Sequence, residues 1–141
     1  MDRKQIVLAG LYPSNQQYHS PVQVQKLFFL LDRNIPKLID GPHFEFKPYN
    51  YGPFDHQVYR VLEELESEGM VEIFSAGYRN NYRLTIEGQH KANEIFDNLD
   101  PEAKDFISRI SEFVLSLSFS SLVSAIYKAY PEMRENSVFQ E

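Results

Sequence analysis

Apolar residues recur roughly every three to four positions along most of the chain, a spacing typical of amphipathic helices. This pattern predicts a first helix from Arg3 to about Leu11. Ser20-Pro21-x-Gln23 is a helix start signal, because the serine hydroxyl can cap the first turn and proline suits the first helical position. The helix after it is strongly apolar and is predicted to be central and buried. Further helices are predicted over 53–68, 85–98, 101–117 and 120–130.

The stretch from Gly69 to Gly88 departs from this helical spacing. Gly69 suits a helix C-terminus, and 71–74 and 82–84 are two short strand-like runs around a polar tip. Thr85 then provides a hydroxyl that can cap a new helix. Helix, glycine, hairpin and helix in this order predict a mainly α fold with a small β-hairpin, namely a winged-helix-like domain with a C-terminal helical extension. Such a domain is expected to bind a partner molecule, and DNA is one option.

The composition is that of one small domain. The chain has 141 residues, of which 43% are hydrophobic, with no cysteine and a formal net charge of −6. We expect a single domain over 1–141, with a core over about 1–99, C-terminal helices over about 100–131 and a tail over 132–141. No apolar run approaches the ~18–20 residues of a membrane span, so we expect a cytoplasmic protein without a membrane partner. The negative charge argues against non-specific coating of nucleic acid, but it leaves room for a locally basic face.

Several short motifs together carry a resemblance to a known family. Gln25-Lys26-Leu27-Phe28-Phe29-Leu30 is followed by Phe46-x-x-Tyr49-x-Tyr51-Gly52-Pro53-Phe54 and then by Val58-Tyr59. This combination resembles the Panacea (SocA-type) antitoxin-associated domain family and a related group of uncharacterised bacterial and archaeal winged-helix-like proteins. With Tyr82–Thr85 and Tyr130–Glu132, the resemblance spans about 21–131. It implies a binding role, either antitoxin-like capture of a protein or control of transcription, and it implies no reaction.

Two segments are candidates for contact with nucleic acid. In many winged-helix proteins the helix before the hairpin enters the major groove and the hairpin touches the backbone. Arginine and asparagine side chains can donate hydrogen bonds to phosphate or to base edges. The candidate nucleic-acid-binding residues are His56, Gln57 and Arg60 on the helix and Arg79, Asn80, Asn81 and Arg83 on the hairpin. An alternative is that Asn80-Asn81 makes the turn, with the arginines keeping the hairpin edge soluble.

Other residues favour a protein partner. Glu63 and Glu64 lie in the C-terminal half of the same helix, where phosphate would repel them, so they suit solvent or a basic protein surface. Tyr49, Tyr51 and Phe54 could line a groove that anchors a partner, as aromatic residues commonly do, or they could set the entry angle of the next helix. The candidate partner-binding residues are Tyr49, Tyr51, Phe54, Glu63 and Glu64.

Signals of catalysis are poor. His19, His43, His56 and His90 are scattered without the spacing of a metal motif, and no glycine-rich segment suits a phosphate. Lys26 is expected either to lie at the rim of the core or to pair with a carboxylate such as Asp32 or Glu45. We therefore expect no cofactor, no metal and no enzymatic activity. A protein-interaction module with a partner that could be a toxin is favoured, and DNA binding is the alternative.

The C-terminal helices also suggest self-association. Their apolar side chains supply more apolar surface than a hairpin and three helices need, and such a stripe commonly builds a dimer. The alternative is that these helices fold back over the core of their own chain. The residues concerned are Phe106, Ile107, Ile110, Phe113, Val114, Leu117, Leu122, Val123, Ile126 and Tyr127.

Overall fold

The structure is a computed structural model and describes residues 1–140, which form six α-helices and two two-stranded antiparallel sheets. The mainly helical fold with a small hairpin is as predicted. In chain order the elements are α1 (Arg3–Leu11), α2 (Pro21–Asn34), β1 (Lys47–Tyr49), β2 (Gly52–Phe54), α3 (His56–Ser67), β3 (Val71–Ala76), β4 (Arg79–Leu84), α4 (Ile86–Asp97), α5 (Pro101–Ser116) and α6 (Phe119–Ala129).

Helix α2 is the central helix of the core, as its apolar sequence predicts. Ser20 and Gln23 form the predicted capping box, in which the Ser20 side chain accepts from the Gln23 backbone N–H. Residues 24–32 are all buried, so α2 is covered on every side. Helices α1, α3 and α5 and strand β4 pack against it.

The start of α3 differs from the prediction. Residues 53–55 were expected to be helical, but Gly52–Phe54 is a strand that pairs with Lys47–Tyr49, and α3 begins at His56. The reason is a pair of hydrogen bonds from α2. The Gln25 side chain accepts from the Asp55 backbone N–H at 2.9 Å and donates to the Asp55 carbonyl at 3.0 Å. These bonds hold Asp55 extended, and its own side chain caps α3 by accepting from the Gln57 N–H at 2.9 Å.

The hairpin lies where it was predicted, but it is longer. Strands β3 and β4 pair from Val71 opposite Leu84 to Ala76 opposite Arg79, and the turn consists of Gly77 and Tyr78. Asn80 and Asn81 therefore lie within β4, and the interpretation that they form the turn is wrong. A two-residue connection closes the hairpin because its backbone matches the twist of the two strands.

His19 adds an isolated bridge to the hairpin. Its backbone N–H donates to the Tyr82 carbonyl at 2.7 Å, and the Tyr82 N–H donates back to the His19 carbonyl at 2.9 Å. The imidazole is fully buried, and neither ring nitrogen has a hydrogen-bond partner among residues 1–140. Burial lowers the pKa of His19 to about 4, so the ring is neutral near pH 7.

The C-terminal helices fold back over the core of their own chain. Ile107, Val114, Leu122 and Ile126 belong to the same buried cluster as α1 and α2. Most of the apolar stripe is therefore buried within one chain, as expected if these helices fold back over their own core. Phe113 stays partly exposed, but little other apolar area of this stripe is open to a second copy of the chain. A homodimer remains a prediction.

Candidate binding cleft

A cleft of about 270 Å³ opens between the start of α2, the turn that joins β1 to β2, and the start of α6. From the described part of the chain, residues 1–140, its lining contains two cationic side chains, Lys26 and Arg79, and no carboxylate. Five aromatic side chains line it: Tyr49, Tyr51, Phe54, Tyr59 and Phe119. A concave, mainly apolar surface with a few convergent polar groups is the usual form of a binding site.

The aromatic wall is held together by ring contacts. The Tyr49 and Phe54 ring centroids lie 5.1 Å apart across the β1–β2 pair. The Tyr51 and Phe119 ring centroids are also 5.1 Å apart, and the angle between these two ring planes is 76°. Tyr49 is 53% exposed, and Tyr51 and Phe119 are each 43% exposed. The structure therefore brings three of the predicted partner-binding residues together, with large apolar area still open to solvent.

Lys26 lies at the base of this cleft and is only 2% exposed. Its Nζ donates to the Pro53 carbonyl at 3.3 Å, and it forms no ion pair with residues 1–140. Asp32, one predicted partner, instead accepts from the backbone N–H groups of His43 and Phe44 at 2.9 and 2.8 Å. The predictions of a rim position and of a paired carboxylate are therefore both wrong. Burial lowers the pKa of Lys26 to about 7.

Gly52 allows β2 to pass close over this lysine. Its φ of +103° is a conformation that residues with a side chain rarely adopt. A Cβ at this position would stand 3.4 Å from Tyr127 Cε1 and 3.5 Å from Lys26 Nζ. Both distances are ordinary van der Waals contacts, so it is the positive φ of the turn that favours glycine at this point of the Tyr-Gly-Pro motif.

The C-terminal segment supports the outer side of the cleft. The Val138 N–H donates to the Asn50 carbonyl at 3.0 Å, and Asn50 is the residue between β1 and the exposed Tyr51. The Phe139 ring lies 6.0 Å from the Phe119 ring, on which Tyr51 packs. Residues 138 and 139 therefore contact the wall of the cleft.

The predicted nucleic-acid residues of the hairpin are divided by the structure. Arg83 forms an ion pair with Glu72 at 2.9 Å, and its guanidinium lies 4.5 Å from the centre of the Tyr18 ring. Asn80 accepts a hydrogen bond from Ser75 within the hairpin. Arg79 is exposed and lines the cleft. Of these two arginines, Arg79 is the one whose side chain forms no ion pair with any of residues 1–140.

The predicted residues of α3 also separate into groups. His56, Gln57 and Arg60 are exposed near its N-terminal end, and the His56 ring lies 6.0 Å from the Tyr59 ring. Glu64 is outside the cleft and lies 3.7 Å from Lys4 of α1, which also pairs with Glu68 at 2.5 Å. Glu63 is exposed and is likewise outside the cleft lining.

Sequence reasoning missed Tyr59, Phe119 and the burial of Lys26 as features of this site. Tyr59 could have been found, because it belongs to the Val58-Tyr59 motif that carries the family resemblance. Phe119 could not, because it lies at the start of α6, far from the other wall residues along the chain. Burial raises the pKa of Tyr59 to about 12, so its phenol stays neutral near pH 7.

Within residues 1–140, no cluster of histidine and acidic side chains could hold a metal ion, and no helix has the length and apolarity to cross a membrane. Comparison of the chain with protein-family models and with curated proteins found no match. The resemblance to the Panacea family therefore stays a prediction.

Proposed function

We propose that this protein is a non-catalytic binding module that captures a protein partner, in an antitoxin-like or regulatory role, at the rim of the aromatic cleft. The observation that carries the proposal is the wall formed by Tyr49, Tyr51 and Phe119, whose rings are half exposed around a concave surface. Tyrosine and other aromatic residues are enriched at the energetic centre of protein interfaces because they bury much area at little cost in side-chain entropy. The resemblance to antitoxin-associated domains supports the same role.

We further propose that the fold is winged-helix-like. In support, α1, the His19 bridge, α2, α3 and the β3–β4 hairpin follow one another along the chain, and the bridge joins His19 to the second hairpin strand. Helices α5 and α6 are then the C-terminal extension. A winged-helix-like frame accounts for a binding role without dictating whether the partner is protein or DNA.

Partner capture is tested by exchanging the wall aromatics. Tagged wild-type protein is expected to co-purify from its own cells with one protein in near-stoichiometric amount. In Tyr51→Ala/Phe119→Ala the amount of this co-purified protein should fall at least about tenfold, because truncation of aromatic hot-spot residues can cost about 2 kcal/mol or more of binding free energy. Tyr78→Ala is the matched control, since Tyr78 is fully exposed at the hairpin turn and outside the cleft. Quantitative mass spectrometry measures the ratio, and circular dichroism checks that each variant is folded. Equal recovery by the wild type and the double variant would contradict the proposal.

DNA binding is the second candidate, favoured by Arg60 and Arg79. Both side chains are exposed, and neither forms an ion pair or hydrogen bond with residues 1–140. We expect no sub-micromolar binding of genomic DNA fragments at low salt, because the exposed Glu63 shares α3 with Arg60 and the net charge is −6.

A fluorescence anisotropy titration at two salt concentrations measures DNA binding directly. If the wild type binds, and if Arg60→Ala/Arg79→Ala weakens binding and lowers the salt slope by about two, the DNA function replaces the one proposed here. Arg109→Ala is the control, because Arg109 is an exposed arginine of α5 that pairs with Asp105 at 3.0 Å.

A further inference from the structure

We propose that the base of the cleft is a binding site for a small carboxylate with a flat apolar body, whose carboxylate contacts Lys26 Nζ and whose body lies between the aromatic side chains. This site goes beyond the capture of a protein partner at the rim. The ligand would occupy the space beneath that rim, among Lys26, Phe54, Tyr59 and Phe119.

The charge of the ligand follows from the surroundings of Lys26. An ammonium group has three N–H donors, and the single hydrogen bond to the Pro53 carbonyl uses one of them. Among residues 1–140, no carboxylate lines the cleft, and the other charged lining residue, Arg79, is also a cation. A buried charge without a partner is costly, and an anion in contact with it would offset that cost. The complementary ligand is therefore an anion.

One negative charge matches this site better than two. Within residues 1–140, Lys26 is the one cation buried at the base of the cleft, since Arg79 is exposed. A phosphate would bring up to two charges and three strongly accepting oxygens into a wall that is mainly aromatic, where most of them would lose their hydration without replacement. A carboxylate brings one charge and two oxygens, for which the lining offers the Lys26 ammonium group and the Ser20 hydroxyl as donors.

The body of the ligand follows from the volume and the walls. About 270 Å³ is near the lower end of small-ligand sites and suits one or two fused rings. The Phe54 and Tyr59 rings pack edge to face, with centroids 5.7 Å apart and an interplanar angle of 69°, and the Tyr51 and Phe119 rings form a second such pair. Aromatic faces and edges of this kind pack best against another flat ring.

Binding of this ligand is coupled to a proton. Lys26 has a lowered pKa of about 7, and a carboxylate in contact stabilises its charged form. The affinity should therefore be greatest below pH 7 and fall about tenfold per pH unit above it, while the ligand remains a carboxylate throughout. The other titratable or charged groups that face the site are Tyr49 and Tyr51 from the β1–β2 pair, Tyr59 from α3, Tyr127 from α6 and Arg79 from β4.

The test compares a carboxylate with its neutral analogue on the isolated protein. Isothermal titration calorimetry with phenylacetate and with 2-naphthylacetate, each beside its primary amide, is run at about pH 6.5 and about pH 8.5, on either side of the pKa of Lys26. We expect at least one carboxylate to bind, at least about tenfold more tightly than its amide and more weakly at the higher pH. Lys26→Met should abolish this preference, whereas Lys37→Met, which removes an exposed lysine outside the cleft, should keep it.

A second readout is independent of affinity. In protein carrying ¹³C-labelled lysine, the Cε signal of Lys26 reports its protonation, and saturation with the carboxylate should raise the apparent pKa of Lys26. Absence of binding by both carboxylates, equal binding of acid and amide, or unchanged binding in Lys26→Met would each overturn the site. Because no protein partner is present, these results stand apart from the capture experiment, and either proposal can fail alone.

Discussion

Gly88→Ala is expected to lower the free energy of unfolding by about 3 kcal/mol, near the upper end of what overpacking costs. Gly88 lies in the first turn of α4, where the helix backbone meets the end of the connection from α3 to β3. A Cβ added at Gly88 would lie 1.9 Å from the Met70 carbonyl oxygen and 2.8 Å from the Met70 carbonyl carbon. Both atoms are backbone, so no side-chain rotation can relieve the clash.

The position of Met70 is also constrained from the other side. Its carbonyl accepts from the Thr85 N–H at 3.0 Å, and Thr85 caps α4 through a hydrogen bond from the Gly88 N–H, also at 3.0 Å. Moving Met70 away from a new Cβ would therefore strain the cap that starts the helix. Urea denaturation followed by circular dichroism measures the change. His90→Ala is the control, since His90 is exposed on the same helix and should change stability by less than about 0.5 kcal/mol. A similar loss in both variants would contradict the expected clash.

Lys26→Met is expected to raise the free energy of unfolding by about 4 kcal/mol near pH 7. The folded pKa of about 7 lies below the ordinary value of 10.5, which corresponds to a burial penalty of roughly 5 kcal/mol. Methionine has a similar length without the charge, and its main cost is the lost hydrogen bond to the Pro53 carbonyl, about 1 kcal/mol. Replacing a buried ion by an apolar residue of similar size is often stabilising for this reason.

The same shift predicts a dependence on pH with a definite sign. Between pH 7 and pH 10.5 the unfolded chain holds the Lys26 proton and the folded chain has released it, so the wild type gains stability as the pH rises. The advantage of Lys26→Met should be largest at and below pH 7 and should shrink towards about pH 10. Lys37→Met serves as the control, since Lys37 is exposed. Urea denaturation across this range gives both quantities, and a loss of stability in Lys26→Met near pH 7 would contradict the buried, unpaired ammonium.

Features that depend on a few neighbouring residues were predictable. The Ser20 capping box, the Thr85 cap and the left-handed glycine at Gly69 all occur where the sequence predicts them. In each case the groups involved are within a turn of each other along the chain, so their spacing is visible in the sequence. The apolar periodicity likewise located α2 and the C-terminal helices.

Features that depend on distant residues were predicted less well. The 53–55 segment looks like a helix start, because proline suits a first helical position, yet Gln25 holds Asp55 extended from the neighbouring helix. The sequence predicts a rim position or a carboxylate partner for Lys26, because nothing near it along the chain indicates that β2 lies over it at Gly52. The wall of the cleft depends on contact between the Tyr51 ring and the Phe119 ring, and Phe119 belongs to α6, much later in the chain.

By itself, the sequence determined a mainly helical chain, its hairpin, its helix caps and three aromatic residues of a candidate interface. Only the tertiary structure decided that these aromatics surround a buried lysine, that Arg83 pairs with Glu72 while Arg79 stays unpaired by residues 1–140, and that α5 and α6 cover their own core. The physical reason is that helix caps and periodicity arise from contacts within a few residues, whereas burial and charge pairing depend on which distant segments pack together.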